Sequence, residues 1–216
     1  MVETIRPTWD QMFLAIAKEA AKRSKDPSTK VGAVIVGPDN EVRSIGYNCF
    51  PRGVDDGAPG RLERPLKYLW IEHGERNAVY NAARVGTSLK GCRMYVSWLP
   101  CADCARAIIQ SGICELVIED LSIPDRWREN FVVSLVMLRE AQIRICQPDG
   151  FKRLDPFNIL WQGHKIRLES GSVERIQEVS EGGSRWCRTV IVTTTDGTRH
   201  GMSPEELEAH LERSTE

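Results

Sequence analysis

Apolar residues recur at helical spacing at Phe13, Leu14, Ala17 and Ala21, behind the capping-box pattern Thr8-Trp9-Asp10-Gln11. A helix is expected there, ending before Pro27. Val31-Gly32-Ala33-Val34-Ile35-Val36 is a buried-strand run, and residues 42–47 return from the Pro38-Asp39-Asn40 turn as a second strand. Residues 48–67 are rich in proline, glycine and charge and read as a long loop, of a length that suggests function. Helices are expected over 71–85, 101–111 and 131–141, alternating with strands over 92–99, 116–118 and 143–145. Strands alternating with helices predict an α/β protein, a three-layer α/β/α unit whose second half is largely parallel.

The pattern changes after Gln147-Pro148-Asp149-Gly150. Residues 173–179 and 189–194 alternate like strands, and Ser203-Pro204-Glu205-Glu206 opens a helix. Two parts are therefore expected. Residues 1–150 form the main domain, and 151–216 form a small C-terminal β-rich appendage, ββα-like, with no chemical motif. An appendage this small seldom supports its own core. Its apolar cluster Phe157-Asn158-Ile159-Leu160-Trp161 is expected to dock on the main domain or on a neighbouring subunit.

Charge narrows the partners. The 216 residues carry net −1, with about +1 in the first part and −2 in the appendage, and no basic run advertises a nucleic acid or an anionic membrane. No apolar run approaches a membrane span. The seven cysteines are odd in number and follow no secretory leader, which fits a reducing, cytoplasmic setting.

The candidate chemistry lies in His73-Gly74-Glu75 and Pro100-Cys101-Ala102-Asp103-Cys104. One imidazole and two thiolates make three zinc ligands and leave a fourth position open, as a catalytic zinc needs. Glu75 stands two residues past the histidine, placed to move protons rather than to bind metal. A closed structural site is the alternative, but His164, His200 and His210 lie outside the motif, and Cys92 reads as a core residue. H-x-E followed by P-C-x-x-C is the signature of the zinc-dependent nucleobase deaminases, in which zinc-activated water attacks the ring carbon bearing the amine.

Four blocks sharpen the resemblance. They are Ser24-Lys25-Asp26-Pro27-Ser28-Thr29-Lys30-Val31-Gly32-Ala33, Gly46-Tyr47-Asn48 with Pro51-Arg52-Gly53, Glu72-His73-Gly74-Glu75-Arg76-Asn77-Ala78, and Pro100-Cys101-Ala102-Asp103-Cys104-Ala105. Across nearly half its length the chain resembles the deoxycytidylate (dCMP) deaminase family. The resemblance implies a cytidine-deaminase-like fold, Zn2+, conversion of dCMP to dUMP, and a homo-oligomer between dimer and hexamer. It implies His73, Cys101 and Cys104 as metal ligands and Glu75 as the catalytic residue. It also implies a base braced by the Gly74 N–H and the Leu99 carbonyl, a sugar met by Asn48, and a phosphate met by Ser28, Thr29 and Lys30.

Asn48 reads equally as a turn residue, and Lys30 as a solvated one. Arg52, Arg61 and Arg64 are further cations free to meet phosphate. Trp98 is an aromatic wall for the base or a core tryptophan. The chain departs from the family's usual residues at Gly74, where alanine is common, and at Cys49, where glycine is common, in a segment tied to triphosphate regulation in some members. Two other functions compete. One is deamination of a modified cytosine nucleotide or of a polynucleotide, which the near-neutral charge argues against. The other is a non-catalytic binding module, which the intact His73, Glu75, Cys101 and Cys104 argue against.

Overall fold

The computed structural model describes residues 6–148, 154–161, 165–168, 172–182 and 189–211. The chain divides into two compact units, Met1–Leu154 and Asp155–Glu216. The boundary expected at Gly150 lies outside the described residues, as do His164 and Trp186.

The first unit is built on a strand buried at every position, β1 (Gly32–Val36). It pairs antiparallel with β2 (Val42–Tyr47) on one side and β3 (Arg93–Trp98) on the other. Two parallel pairings then add β4 (Glu115–Asp120) and β5 (Arg144–Cys146), giving the order β2-β1-β3-β4-β5. The sheet is therefore mixed, parallel only in its second half as the alternation predicts.

Helix α1 (Trp9–Ala21) covers one face. Its Phe13, Leu14 and Ala17 pack with Val34 and Val36 of β1, Tyr95 of β3 and Val117 of β4. The period-2 alternation of strand side chains turns Ala33 and Ile35 to the opposite face. The Thr8 capping box forms as read: Thr8 Oγ1 accepts the Gln11 N–H at 3.2 Å, and Gln11 Oε1 accepts the Thr8 N–H at 3.0 Å.

Helix α3 (Gly74–Arg84) packs on β1 and β2, and α4 (Ala102–Gln110) packs against α3 and α5 (Arg128–Glu140). Two glycines set the closeness of α3 to the sheet. A Cβ on Gly46 would lie 2.2 Å from the Gly74 carbonyl oxygen, and one on Gly74 would lie 2.8 Å from the Val31 carbonyl oxygen.

Several boundaries differ from the sequence reading. Residues 71–72 are extended rather than helical, because Glu72 pairs with Cys49 in an isolated bridge. A one-turn helix, α2 (Lys67–Trp70), stands between the expected loop, which ends at 67, and the helix expected from 71, where the sequence reading placed no element. Helix α5 starts three residues earlier than expected, following a 3₁₀ turn at Asp125–Trp127.

The second unit is an antiparallel sheet of four strands, ordered β6 (Lys165–Arg167), β7 (Val173–Gly182), β8 (Thr189–Thr194) and β9 (Arg199–Met202). It carries α6 (Pro156–Trp161) and α7 (Pro204–His210). Ile176, Val179, Val190, Val192 and Leu207 are buried, as are Leu160 and Trp161. Helix α6 packs on β7, where Asn158 Oδ1 accepts the Val179 N–H at 2.7 Å. The apolar cluster therefore has a partner inside its own unit, one that the sequence reading did not supply. Among the described residues no helix is long and apolar enough to cross a membrane.

Candidate active site

The site is assembled from two helix starts. His73 is the N-cap of α3 and Cys101 the N-cap of α4, both with extended backbone, and neither side chain caps its own helix. Both are therefore free to face a ligand. Cys104 lies one turn beyond Cys101, on the same side of α4. The helix starts also favour thiolate over thiol.

The three groups meet tightly. Cys101 Sγ and Cys104 Sγ are 3.5 Å apart, and His73 Nδ1 stands 3.4 Å from the first and 3.6 Å from the second. A tetrahedral zinc with Zn–S of about 2.3 Å and Zn–N of about 2.0 Å requires separations of roughly 3.8 Å between sulfurs and roughly 3.5 Å between sulfur and nitrogen. The observed triangle fits such an ion. It is the group of candidate ligands found among the described residues. The hydrogen bond with Cys104 draws the Cys101 thiol down to about 4 against the opposing effect of burial, and His73 adds to the same pull. Burial holds the Cys104 thiol well up. The pair is thus set to carry negative charge that a cation neutralises.

Glu75, one residue into α3, is 2 % exposed, and its Oε2 has no hydrogen-bond partner. Burial pushes this carboxyl up from 4.5 to about 7, with the His73 charge pulling the other way. A buried oxygen without a partner is costly and marks a place where something else docks.

These groups open into a cavity of about 570 Å³, its mouth included, which Glu75, His73 and Cys101 help to line. One wall is aromatic. Trp98 meets Phe131 edge-on at 5.3 Å, Phe131 meets Trp127 at 6.4 Å, and Trp127 meets Tyr68 edge-on at 5.4 Å. All four line the cavity. Trp98 Nε1 donates to the Ser122 carbonyl at 2.9 Å, so the ring is fixed and also borders the cavity. Leu99 lines it too and is 3 % exposed.

Another part of the lining is polar. Lys67 Nζ donates to both Asp26 oxygens at 2.9 Å and to Ser28 Oγ at 2.5 Å. Lys67 and Asp26 are each 4 % exposed in their side chains. Burial alone would raise the Asp26 carboxyl, but hydrogen bonds from Lys67 and from the Ser28 and Thr29 N–H groups, with the Lys67 charge, outweigh it and hold it below 3.8. Arg64 Nη2 donates to Ser28 Oγ at 3.1 Å, and Arg64 and Thr29 line this wall.

Asn48 ties the polar wall to the start of α3. Its Oδ1 accepts the Gly74 N–H at 2.9 Å, and its Nδ2 donates to the Thr29 carbonyl at 3.1 Å. It is 4 % exposed and still lines the cavity. The Gly74 N–H, expected to face a base, is used by Asn48 in this structure. Lys30 is exposed and is not among the residues lining the cavity. Arg52 and Arg61 are engaged elsewhere, Arg52 with Asn81 Oδ1 and Arg61 with the Asp55 carbonyl and the Trp70 ring. Asn77 donates to the Tyr47 carbonyl and to Cys49 Sγ, tying α3 to β2. Arg76 pairs with Glu72 and with Asp103 at the start of α4.

Sequence reasoning missed Lys67, Tyr68, Trp127 and Phe131. Trp127 and Phe131 are four apart, a helical spacing that offered a signal. Nothing local announced Lys67, whose partner lies 41 residues away in sequence.

Comparison with known proteins agrees with this geometry. Residues 7–120 match the family model described as the cytidine and deoxycytidylate deaminase zinc-binding region. Human deoxycytidylate deaminase is 46% identical over 114 residues, which cover 50% of this chain and 63% of the relative. The chain thus spans less than two thirds of that protein. An Aliivibrio fischeri protein described as an uncharacterized deaminase is 40% identical over 141 residues, covering 63% of this chain and 91% of its own length. The apo dCMP deaminase of cyanophage S-TIM5 shares the fold, with a TM-score of 0.53 at 20% identity over 66% of this chain and 99% of its own. The zinc-binding region described by the family model contains the converging His73, Cys101 and Cys104, and the chain belongs to the cytidine and deoxycytidylate deaminase family.

Proposed function

We propose that this protein hydrolyses the amine of a free cytosine nucleotide, converting dCMP and water to dUMP and ammonia. The observation that carries the reading is the buried, partnerless Oε2 of Glu75 beside three groups spaced for zinc. The deoxycytidylate deaminases among its relatives support the choice of nucleotide.

His73 Nδ1, Cys101 Sγ and Cys104 Sγ would hold the zinc ion. Bound there, zinc supplies the Lewis acidity that makes water a competent nucleophile near neutral pH. Glu75 Oε2 takes a proton from the attacking water and delivers it to the ring nitrogen, then serves the leaving amine. The water oxygen bonds to C4, the bond from C4 to the exocyclic nitrogen breaks, and ammonia departs. Trp98 and Phe131 flank the base and exclude bulk water.

At the polar wall Lys67 is committed to Asp26 and Ser28, so its role is to hold that wall in shape. Arg64 and the Thr29 hydroxyl, both at this wall, are the groups we assign to the 5′-phosphate, since phosphate is recognised by charged and hydroxyl donors. Asn48 orients the Gly74 segment and lies within reach of the sugar.

We assign this chemistry to the first unit and treat the residues from Asp155 onward as an extension. We further infer a homo-oligomer, from the family resemblance, and a reducing, cytoplasmic setting, for which the lack of a disulfide among the six described cysteines speaks.

The test is a panel of cytidine nucleosides, mono- and triphosphates and 5-substituted analogues, each incubated with zinc-loaded protein and assayed for ammonia. Release fastest from dCMP supports the reading. Release only from a single-stranded polynucleotide, or none from any cytosine compound, overturns it.

A further inference from the structure

A helix leaves its first N–H groups without partners inside the helix, and a polar N-cap side chain ordinarily accepts one of them. Helix α4 cannot use that device. Its N-cap is Cys101, whose sulfur faces His73 and Cys104 rather than the helix start. The start of α4 is also the segment whose backbone aims a ligand sulfur, so slack there moves the sulfur.

One missing partner, and a second hold on the same segment, come from α5. Asn130 Oδ1 accepts the Ala102 N–H, immediately after Cys101, at 2.8 Å. Ser134 Oγ donates to the Pro100 carbonyl, immediately before Cys101, at 2.7 Å. Asn130 and Ser134 are four apart and therefore share one face of α5. Ser134 is fully buried. Neither residue touches a ligand atom in this structure. Both hold backbone atoms of the peptides on either side of Cys101.

We infer that Asn130 and Ser134 are positioning residues that fix the Cys101 ligand by clamping its two flanking peptide groups from α5. The inference rests on the zinc reading of the site. Its chemistry is simple: a metal site holds its ion longer when the ligands are already aimed, because less conformational freedom is lost on binding. Phe131, on the same helix, borders the cavity, so α5 sets both a ligand and a wall.

The test uses the full-length zinc-loaded protein and follows zinc transfer to a chromogenic chelator. Asn130→Leu removes the acceptor at similar size, Asn130→Asp keeps an oxygen in its place, and Ser134→Ala removes the second clamp. Melting of each zinc-free variant is recorded alongside.

The expected result is zinc release about tenfold faster in Asn130→Leu, the low end of what partners behind metal ligands typically contribute. Asn130→Asp should return to near the parent rate, and Ser134→Ala should lie between them. The zinc-free melting temperature of Asn130→Leu should move less than that of its zinc-loaded form. Three outcomes overturn the inference. These are unchanged release in both Asn130→Leu and Ser134→Ala, equal acceleration in Asn130→Leu and Asn130→Asp, or an equal fall in melting with and without zinc. No substrate enters this assay, so a zinc-binding protein that releases no ammonia would sink the proposed reaction and leave this inference to be decided by zinc release.

Discussion

The two ends of the cavity are built in opposite ways. At the metal end, His73, Glu75, Cys101 and Cys104 come from two short segments, and each segment places its groups by local helix geometry. At the polar end, Asp26 with Ser28, Asn48, and Lys67 come from three separate stretches and are held together by hydrogen bonds that span up to 41 residues. The metal end is a motif, whereas the polar end is a product of folding. One should lose chemistry when altered, the other stability and nucleotide fit.

The largest effect is expected at the metal end. His73→Ala or Cys101→Ala should lose both zinc and activity. It should also lower the melting temperature, because ligand binding and folding are coupled. Metal analysis and a thermal melt check this, and a metal-free variant with parental melting would contradict it.

Next comes the polar end. Lys67→Met leaves the Asp26 carboxylate buried without its cation. Breaking a buried pair by removing one partner costs about 3–5 kcal/mol. Urea denaturation at neutral pH should show a loss of that order while the zinc content of the folded protein holds. A loss no larger than that of an exposed ion pair would mean the contact is incidental.

A smaller effect follows from acid. The folded Asp26 carboxyl lies below its ordinary value, so the folded state binds its proton less readily than the unfolded chain does. Its stabilisation is therefore fully present above about pH 4, the unfolded range for aspartate. It is lost as pH falls through the lower folded value. The stability gap between the parent and Asp26→Asn should be constant above that range and close below it. A gap that widens on acidification would reverse the sign.

The smallest effect concerns Gly74. Alanine would gain under about 1 kcal/mol in helix propensity at this first-turn position. Its Cβ would press on the Val31 carbonyl oxygen at 2.8 Å, and on the Tyr47 Cα at 3.3 Å. Overpacking typically costs about 1–3 kcal/mol, so Gly74→Ala should be slightly destabilising. A stabilised variant, read by thermal melting, would show that the Val31 carbonyl and Tyr47 yield easily.

The same contrast explains what the sequence disclosed. The α/β alternation and the Thr8 capping box were legible because each depends on residues a few positions apart, and the zinc triad because each of its halves, His73-Gly74-Glu75 and Cys101 to Cys104, is a local pattern even though the halves lie 28 residues apart. The polar wall was not. Lys67 sits in a stretch whose prolines and glycines read as loop, and its meaning appears only once Asp26 is beside it. Asn48 was ambiguous for the same reason, since its two partners lie 19 and 26 residues away. The aromatic wall was half visible: Trp98 announced itself beside the motif, while Trp127 lay in a 3₁₀ turn before the expected start of α5. The packing of α6 within its own unit was not legible because the long β7 on which it packs was only partly read as a strand.

The central claim is that Glu75 moves protons beside a zinc ion it does not ligate. The most direct measurement is on Glu75→Gln, with zinc content and turnover of dCMP recorded on the same sample. The account predicts parental zinc content with turnover reduced by at least about 10²–10⁴-fold, the usual contribution of a positioned proton carrier. Loss of zinc from this variant, or turnover close to the parent, would contradict it.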